Sequence, residues 1–212
     1  MTRDEAVDEI RAGLGFRSDM QATIISRLKQ SQRELEGGKS LPWFIVNEDS
    51  PIELIAGQSE YTLSDHFIQE ADDLGFQNIA QNIEGDIYHV KKWEYDKSIA
   101  TFGFEATGYP RVYTIRNFTL KFFPTPDIDY SYRWSFYQKQ TTLEDNVENQ
   151  WLKFVPDLLI GMAGGYVAAN LRDEQAIAYF QPIRQNWEAW LIKQIAQRQV
   201  AVNERTVMGS DR

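Results

Sequence analysis

Two helix-patterned runs near the C-terminal end constrain the fold of this chain more than any other feature. In the first run, 149–171, apolar residues such as Leu159 and Met162 recur at steps of three and four, which is typical of one helix face. A second stripe, at steps of four, includes Gly161 and Gly165. Each glycine inside a helix costs roughly 1 kcal/mol relative to alanine, so we expect another backbone or a large side chain to pack closely there.

The second run extends from Asp173 to about Gln199 and predicts an amphipathic helix of unusual length. With a rise of about 1.5 Å per residue it would reach roughly 40 Å, which exceeds an ordinary globular helix. Pro182 removes one backbone donor and crowds the preceding turn, so we expect a kink there or a break into two pieces. A helix that extends beyond its own core usually packs against a neighbour.

The N-terminal 40 residues predict two further helices that pack against this C-terminal pair. Each begins with a capping box, in which a hydroxyl side chain and a Glu or Gln three residues later satisfy free backbone N–H groups. The boxes are Thr2 with Glu5 and Ser18 with Gln21. Gly13 ends the first helix, and Gly37 is expected to end the second in a left-handed conformation.

The segment between the helical ends is rich in strand patterns. The clearest of them predict a three-stranded antiparallel meander whose first two strands are joined by a tight turn at Arg116-Asn117. The meander strands are 109–115, 118–123 and 130–137, with shorter strands at 59–63 and 87–90, a turn at 65–70 and a helix within 92–101. We assign the many aromatic residues in these strands to cross-strand packing and the core.

These patterns predict an α+β fold in which both chain ends form one helical bundle and the middle forms a β-rich antiparallel insert. We expect a single domain across 1–212. The bundle would comprise 1–40 and 149–200, the insert 43–140 and the C-terminal tail 201–212. With 212 residues, 42% of them hydrophobic, the chain is long enough to bury such a core.

Charge and composition exclude several functions. The chain has 22 Lys and Arg against 31 Asp and Glu, and its net charge of −9 argues against binding nucleic acid through phosphate neutralisation. The absence of cysteine excludes disulfides, thiol nucleophiles and cysteine-ligated metals. No leading segment combines positive charge with an apolar stretch, so we expect neither a signal peptide nor a membrane anchor. The protein would remain in the cytoplasm where it is made, or leave it within an assembly.

No group of residues forms a convincing active site, and we predict no catalytic, cofactor-binding or metal-binding residue. Ser64, Asp65 and His66 have the residue types of a catalytic triad, but neighbours in sequence point in different directions and predict a surface turn. His89 lies in a strand of apolar neighbours, where a hydrogen-bonded structural histidine is more common than a metal ligand.

The acidic residues leave alternatives open. Asp127 and Asp129 are a weak match to a divalent-metal motif, although the prolines at 124 and 126 favour a solvated turn. A glycan hydrolase that acts on the bacterial cell wall would need two carboxyl groups brought together by the fold. The candidates for that pair are Glu105, Asp127, Glu144 and Asp145. A DNA-binding module is a further alternative, which the negative charge disfavours.

Five segments form a recognisable combination. They are Leu-Pro-Trp-Phe-Ile-Val-Asn-Glu at 41–48, Gly-Gln-Ser-Glu-Tyr-Thr-Leu at 57–63, Gly-Tyr-Pro-Arg at 108–111, Leu-Lys-Phe-Phe-Pro-Thr-Pro-Asp at 120–127 and Asn-Gln-Trp-Leu-Lys-Phe-Val-Pro-Asp-Leu-Leu-Ile at 149–160. In order and spacing they resemble the head-to-tail adaptor family of tailed bacteriophages. The resemblance covers most of the chain from Ser18 onward, while Pro182 and the stretch 65–99 depart from the family pattern.

The resemblance implies a structural protein and not an enzyme. It implies a dodecameric ring in the virion neck, beneath the portal, that extends the DNA channel and provides the platform for a tail or nozzle protein. DNA would pass through the ring without specific binding, and neither a cofactor nor a membrane is implied. The protein would be made in the host bacterial cytoplasm. Because its exposed apolar residues are scattered, we expect it to be monomeric or weakly associating until a partner is present.

The tail, 201–212, lacks helical periodicity and carries Gly209-Ser210, which predicts a mobile segment in the free protein. Within it, an apolar pair lies between polar flanks and could anchor in a groove of a partner. The resemblance also implies that the C-terminal tail docks onto the portal protein. The residues expected to make this contact are Val202, Arg205, Val207 and Met208.

Overall fold

The computed structural model describes residues 1–71, 80–83, 86–144 and 147–209, and it has the α+β fold that the sequence predicts. The chain divides into two compact units. The helical unit comprises Met1–Ile45 and Lys139–Arg205, and the β unit is built around Val46–Gln138. Helices from both chain ends and a β-rich insert are therefore both present.

Most of the described helices lie at the two chain ends, and the strands lie between them. The α-helices are α1 (Arg3–Gly13), α2 (Gln21–Glu36), α3 (Tyr95–Phe102), α4 (Gln150–Phe154), α5 (Pro156–Leu171) and α6 (Glu174–Gly209). The strands are β1 (Val46–Leu54), β2 (Glu60–Thr62), β3 (Phe67–Glu70), β4 (Ala80–Ile83), β5 (Asp86–His89), β6 (Lys91–Lys92), β7 (Val112–Arg116), β8 (Thr119–Phe123) and β9 (Tyr130–Gln138). Helix α3 belongs to the β unit, and the other helices, with α6 as far as Arg205, build the helical unit.

The predicted helix ends are partly confirmed. In α1 the backbone N–H of Glu5 donates to Thr2 Oγ1 at 3.2 Å, and the backbone N–H of Thr2 donates to Glu5 Oε2 at 2.8 Å, so this capping box is present. The second predicted box is wrong, because a 3-10 turn over Ser18–Met20 precedes α2 and no side chain caps that helix. Gly37 follows α2 in the right-handed region, at φ −84°, and not in a left-handed cap.

Close packing between α5 and α6 accounts for two of the glycines in α5. A Cβ on Gly161 would lie 2.7 Å from the backbone nitrogen of Arg184, so only glycine admits the neighbouring backbone there. A Cβ on Gly164 would lie 2.5 Å from the fully buried ring of Phe180. The predicted close approach is therefore confirmed at Gly161 and wrong at Gly165, where nothing lies within 4 Å of an added Cβ.

Helix α6 is longer and less interrupted than the sequence predicts. It does not break at Pro182, because a proline removes one hydrogen bond while apolar residues before and after it, among them Phe180 and Leu191, remain buried. It also continues through 201–209, where the expected tail was nonhelical. The residues there include alanine, glutamate, arginine and methionine, which favour helices, and no proline.

A buried polar cluster joins α2 to the segment that leads into α4. Glu36, at the end of α2, is 8% exposed, and its Oε1 atom accepts three hydrogen bonds. The donors are Trp151 Nε1 at 3.1 Å, the backbone nitrogen of Gln140 at 3.0 Å and Gln32 Nε2 at 2.9 Å. We call these four residues the Glu36 cluster. Because its bonds are shielded from water, the cluster fixes the chain where it returns to the helical unit.

The β unit contains two sheets that share an apolar core. The first has the order β1-β9-β4-β5, with β3 also paired to β9, and the second has the order β2-β8-β7-β6. The described pairings between these strands are antiparallel apart from β6 with β7. Residues of both sheets form the core, which contains Leu54, Leu63, Phe67, Val90, Tyr113, Leu120, Phe122, Tyr132, Trp134 and Phe136.

The predicted meander is correct for two strands and wrong for the third. Strands β7 and β8 form a hairpin around Asn117 and Phe118, which have φ values of 50° and 57° as a two-residue hairpin loop requires. Strand β9 pairs instead with β1 in the other sheet, because β2 and β7 already occupy both edges of β8. The turn expected at 65–70 is present at Asp65 and His66 but wrong from Phe67 onward, since β3 (Phe67–Glu70) pairs with β9.

The first and last strands of the insert, β1 and β9, are paired neighbours. Val46, the first residue of β1, pairs with Tyr137 near the end of β9, and the ladder continues to Leu54 opposite Tyr130. Strand β1 is an edge strand, which explains how it accommodates Pro51. We call this pair of strands the β1–β9 stem.

Candidate functional site

The triad-like residues form a surface turn, as their adjacency predicts. Ser64, Asp65 and His66 are exposed, and the backbone N–H of His66 donates to Ser64 Oγ at 3.2 Å, which closes the turn. His89, at the end of β5, is also exposed. The structure therefore brings neither histidine into an enclosed catalytic arrangement.

The four acids considered for glycan hydrolysis have separate roles where they are described. Glu105 is exposed, Asp127 accepts a hydrogen bond from the Tyr130 hydroxyl, and Asp145 lies outside the described residues. Glu144 pairs with Lys29 Nζ at 2.8 Å, and this hydrogen bond and charge hold the pKa of Glu144 below its ordinary value. A general acid needs the opposite shift, so Glu144 has the wrong environment for that role.

Asp127 and Asp129 stabilise loops of the β unit. The Tyr130 hydroxyl donates to Asp127 Oδ1 at 2.7 Å, and burial, followed by this bond, raises the pKa of Tyr130 to about 12. Asp129 Oδ1 accepts from the backbone N–H of Ala56 at 2.8 Å. Throughout 1–71, 80–83, 86–144 and 147–209, no three His, Asp or Glu side chains are grouped as a metal ion would require.

One candidate contact surface is on the outer side of α6. Its inner side buries apolar residues such as Phe180 and Ile195, whereas six residues spaced by three and four on the opposite side are all exposed. None of the six is charged, and one of them, Ile192, is 59% exposed. We call them the outer stripe: Ala178, Pro182, Gln185, Ala189, Ile192 and Ala196.

A second apolar surface lies at one end of the β unit. Three loops meet there, since Gly57 donates its backbone N–H to Pro126 O at 2.8 Å and Thr125 donates to Ala106 O at 2.9 Å. Each loop exposes one large apolar side chain. These are Ile55, Phe104 and Ile128, which are 55%, 67% and 58% exposed.

Sequence patterns alone predict neither surface. The outer stripe has a helical period that the sequence does show, but its alanines and glutamine give it too little hydrophobicity to stand out. The loop residues are far apart in the chain and are joined only by the fold. The expected docking residues Val202, Arg205, Val207 and Met208 lie in the last turns of α6, where the structure describes the backbone.

These surfaces and the fold define a class of protein: an α+β protein that exposes apolar side chains suited to contact with other proteins. The chain belongs to the SU10 adaptor protein family, whose family model matches residues 1–209. This is a family of phage head-to-tail adaptors, so the resemblance is confirmed and the protein has a structural role in a bacteriophage. No curated protein matches the chain. Among the helices as far as they are described, none has the length and apolarity needed to cross a lipid bilayer.

Proposed function

We propose that this protein forms a ring of identical copies, a dodecamer by analogy with its family, in the neck of the virion. The ring lies beneath the portal protein, extends the DNA channel and provides the platform to which a tail or nozzle protein attaches. Membership of the phage adaptor family supports this role. The protein is made in the host bacterial cytoplasm and assembles without a cofactor or a membrane.

The outer stripe is the observation that carries the proposal. Helix α6 has 36 residues and is therefore about 54 Å long at a rise of about 1.5 Å per residue. The six residues of the outer stripe form an exposed strip without charge from Ala178 to Ala196, bordered by the exposed charges of Glu188 and Lys193. Packing against a neighbouring copy would cover this side and use its small residues for close helix contact.

The negative charge fits a channel for DNA. A net charge of −9 on each copy repels phosphates, so DNA can move through the ring without being held. Specific DNA binding is accordingly not part of the proposed function.

The C-terminal end of α6 provides the contact with the portal protein in this proposal. Val202, Arg205, Val207 and Met208 lie on successive turns of a helix, and a helical segment can insert its apolar residues into a groove of a partner. This contact would attach each copy to the portal, after which neighbouring copies associate into the ring.

Cryo-electron microscopy of the virion neck, or of purified portal protein mixed with this protein, tests the ring. We expect density for a closed ring on the portal, with the outer stripe at the contact between copies. Ile192→Glu should prevent ring closure, whereas Gln197→Glu adds the same charge at an exposed position off the stripe and should not. Neck density that cannot accommodate this chain as a closed ring would refute the proposal.

Deletion of residues 201–212 tests the portal contact separately. Because the deleted residues lie at the end of α6, we expect an almost unchanged melting temperature and loss of portal binding. Thermal unfolding and a sedimentation assay with portal protein measure the two effects. A truncated protein that binds the portal with normal affinity would assign the contact to another part of the chain.

A further inference from the structure

The second sheet of the β unit has a polar pocket on the face that points away from the core. Along β7 and β8 alternate side chains face opposite ways, so Tyr113 and Leu120 enter the core while Thr114 and Lys121, which pair across the strands, lie on the other face. There they border a cavity of about 180 Å³. The cavity is lined by Glu60, Tyr95, Thr114, Arg116, Asn117, Thr119 and Lys121.

Thr114 is the clearest sign that this cavity is a binding site. The residue is 2% exposed, it borders the cavity, and in the described part of the chain its Oγ1 atom has no hydrogen-bond partner. A buried hydroxyl without a partner costs free energy, and a polar ligand group that enters the cavity would satisfy it. The hydroxyl of Thr114 is therefore available to donate to a group that enters the cavity.

The two cations of the cavity, Lys121 and Arg116, differ in their contacts with acidic side chains. Lys121 Nζ pairs with Glu60 Oε1 at 2.8 Å, so the charge of this lysine is already neutralised. Arg116 places its guanidinium over the ring of Tyr95, 5.2 Å from the ring centre, and Lys121 Nζ lies over the same ring at 5.8 Å. Contact with the ring restrains a guanidinium while its N–H groups can still bind an anion.

This arrangement selects a carboxylate. The three charged side chains leave one net positive charge, which a single carboxylate balances, whereas a phosphate group of charge about −1.5 to −2 would exceed it. An arginine edge presents two parallel N–H groups to the two oxygens of a carboxylate, and the Thr114 hydroxyl adds a third donor.

We propose that this pocket binds the carboxylate of an acidic side chain presented by a second copy of this chain. Charge complementarity supports this occupant, since a positive pocket on a chain with 31 acidic residues matches the surface that its own copies present. Phe118, 61% exposed beside Arg116 at the tip of the β7–β8 hairpin, adds an apolar contact that a protein partner can use. The inference rests on the proposed ring, in which each copy meets the next through the same two surfaces.

Binding of acetate tests the pocket without assembly. Titration of the full-length protein with sodium acetate, followed by NMR against sodium chloride at equal ionic strength, should shift the amide signals of Thr114 and Arg116. Arg116→Gln should abolish this response, and Thr114→Val should weaken it while leaving the melting temperature unchanged or raised, because valine keeps the shape and removes a buried hydroxyl. Arg111→Gln, the same charge change at an exposed residue outside the pocket, should respond like the unaltered protein.

An unaltered protein that shows no acetate response, or an Arg116→Gln response equal to it, would overturn the proposal. A response to inorganic phosphate stronger than that to acetate would overturn the choice of a carboxylate.

Assembly on the portal protein tests the occupant. Loss of one partner of a charge pair at an interface commonly weakens binding severely, so Arg116→Gln should raise the concentration needed for ring assembly by about tenfold or more. Arg116→Lys keeps the charge without the two-pronged edge and should be intermediate, and Arg111→Gln should be normal. Normal assembly of Arg116→Gln would exclude a second copy as the occupant. If the unaltered protein forms no ring at all, the ring proposal fails and this occupant fails with it, whereas the acetate titration still reports on the pocket by itself.

Discussion

A carboxylate buried among neutral donors, as in the Glu36 cluster, loses the water that would stabilise its charge, and only well-placed hydrogen bonds offset that loss. Here a single oxygen of Glu36 accepts from a side-chain amide, an indole and a backbone N–H. The arrangement ties α2 to Gln140 and Trp151, which are more than a hundred residues away in the chain. The stability of the helical unit should therefore depend strongly on this one side chain.

Replacement of Glu36 tests that dependence. Glu36→Leu removes the acceptor of the Trp151 indole and of the Gln140 backbone N–H, while Gln32 Nε2 keeps the carbonyl oxygens of Gln140 and Thr141. It should lower the free energy of unfolding by roughly 2 kcal/mol or more. Glu36→Gln keeps an oxygen in place but removes its charge, so we expect a loss of about 1 kcal/mol. Urea unfolding measures both values. Equal losses for the two variants would show that the charge, and not the acceptor, matters.

Tyr166 gives a prediction about pH. Its hydroxyl donates to Glu34 Oε2 at 2.6 Å, and this bond, together with burial, raises the pKa of Tyr166 above its ordinary value of 10.0. The folded state thus holds this proton more tightly than the unfolded state does. The contribution is fully present below pH 10 and is lost as pH rises through the raised pKa of the folded protein.

Tyr166→Phe should therefore be less stable than the unaltered protein at pH 8, and the difference between the two should shrink at alkaline pH. Urea unfolding at pH 8 and above pH 10 measures this difference, with Tyr179→Phe, an exposed tyrosine, as the control. A constant difference across this range would contradict the role assigned to the Tyr166 proton.

At the scale of elements, the contact between α5 and α6 depends on which glycine faces the neighbour. Gly164 has the Phe180 ring against it, whereas Gly165, the next residue, faces open space. Gly164→Ala should destabilise the protein by about 1–3 kcal/mol through overpacking. Gly165→Ala should instead stabilise it by up to about 1 kcal/mol, because alanine is the better helix former. Thermal unfolding of both variants decides the matter, and a shift in the same direction for both would show that α5 and α6 pack differently.

The elements also show how far sequence patterns reach. Periodicity predicts the helices of both chain ends and the strands β7, β8 and β9, because these patterns report which side of an element is apolar. Periodicity does not predict that β9 pairs with β1 and not with β8. Pairing depends on which strand edges are free, and that depends on the arrangement of all the strands. The pocket around Arg116 could not be predicted either, since Tyr95 and Glu60 reach it from distant parts of the chain.

At the scale of the whole molecule, the β1–β9 stem predicts that the helical unit can fold without the insert. Val46 and Tyr137 are paired neighbours, so a short Gly-Ser linker can join Ile45 to Lys139 in place of Val46–Gln138. The Glu36 cluster and the α5–α6 contact lie wholly within the remaining residues. We expect the shortened protein to be helical by circular dichroism and to unfold cooperatively; a broad transition without cooperativity would show that the helical unit requires the insert.

The same stem affects the order of events during synthesis. Because Val46–Gln138 is one continuous segment, its sheets can form while the ribosome is still making α4, α5 and α6. Helices α1 and α2 must wait for partners that have not yet emerged. Val46–Gln138 places 93 residues between Ile45 and Lys139 in the sequence. When β1 pairs with β9, these two residues are brought close together in space. Folding of the β unit has then already offset the loop-closure entropy that is lost when the two halves of the helical unit come together. The folded insert in this way promotes association of the two halves of the helical unit in the newly made chain.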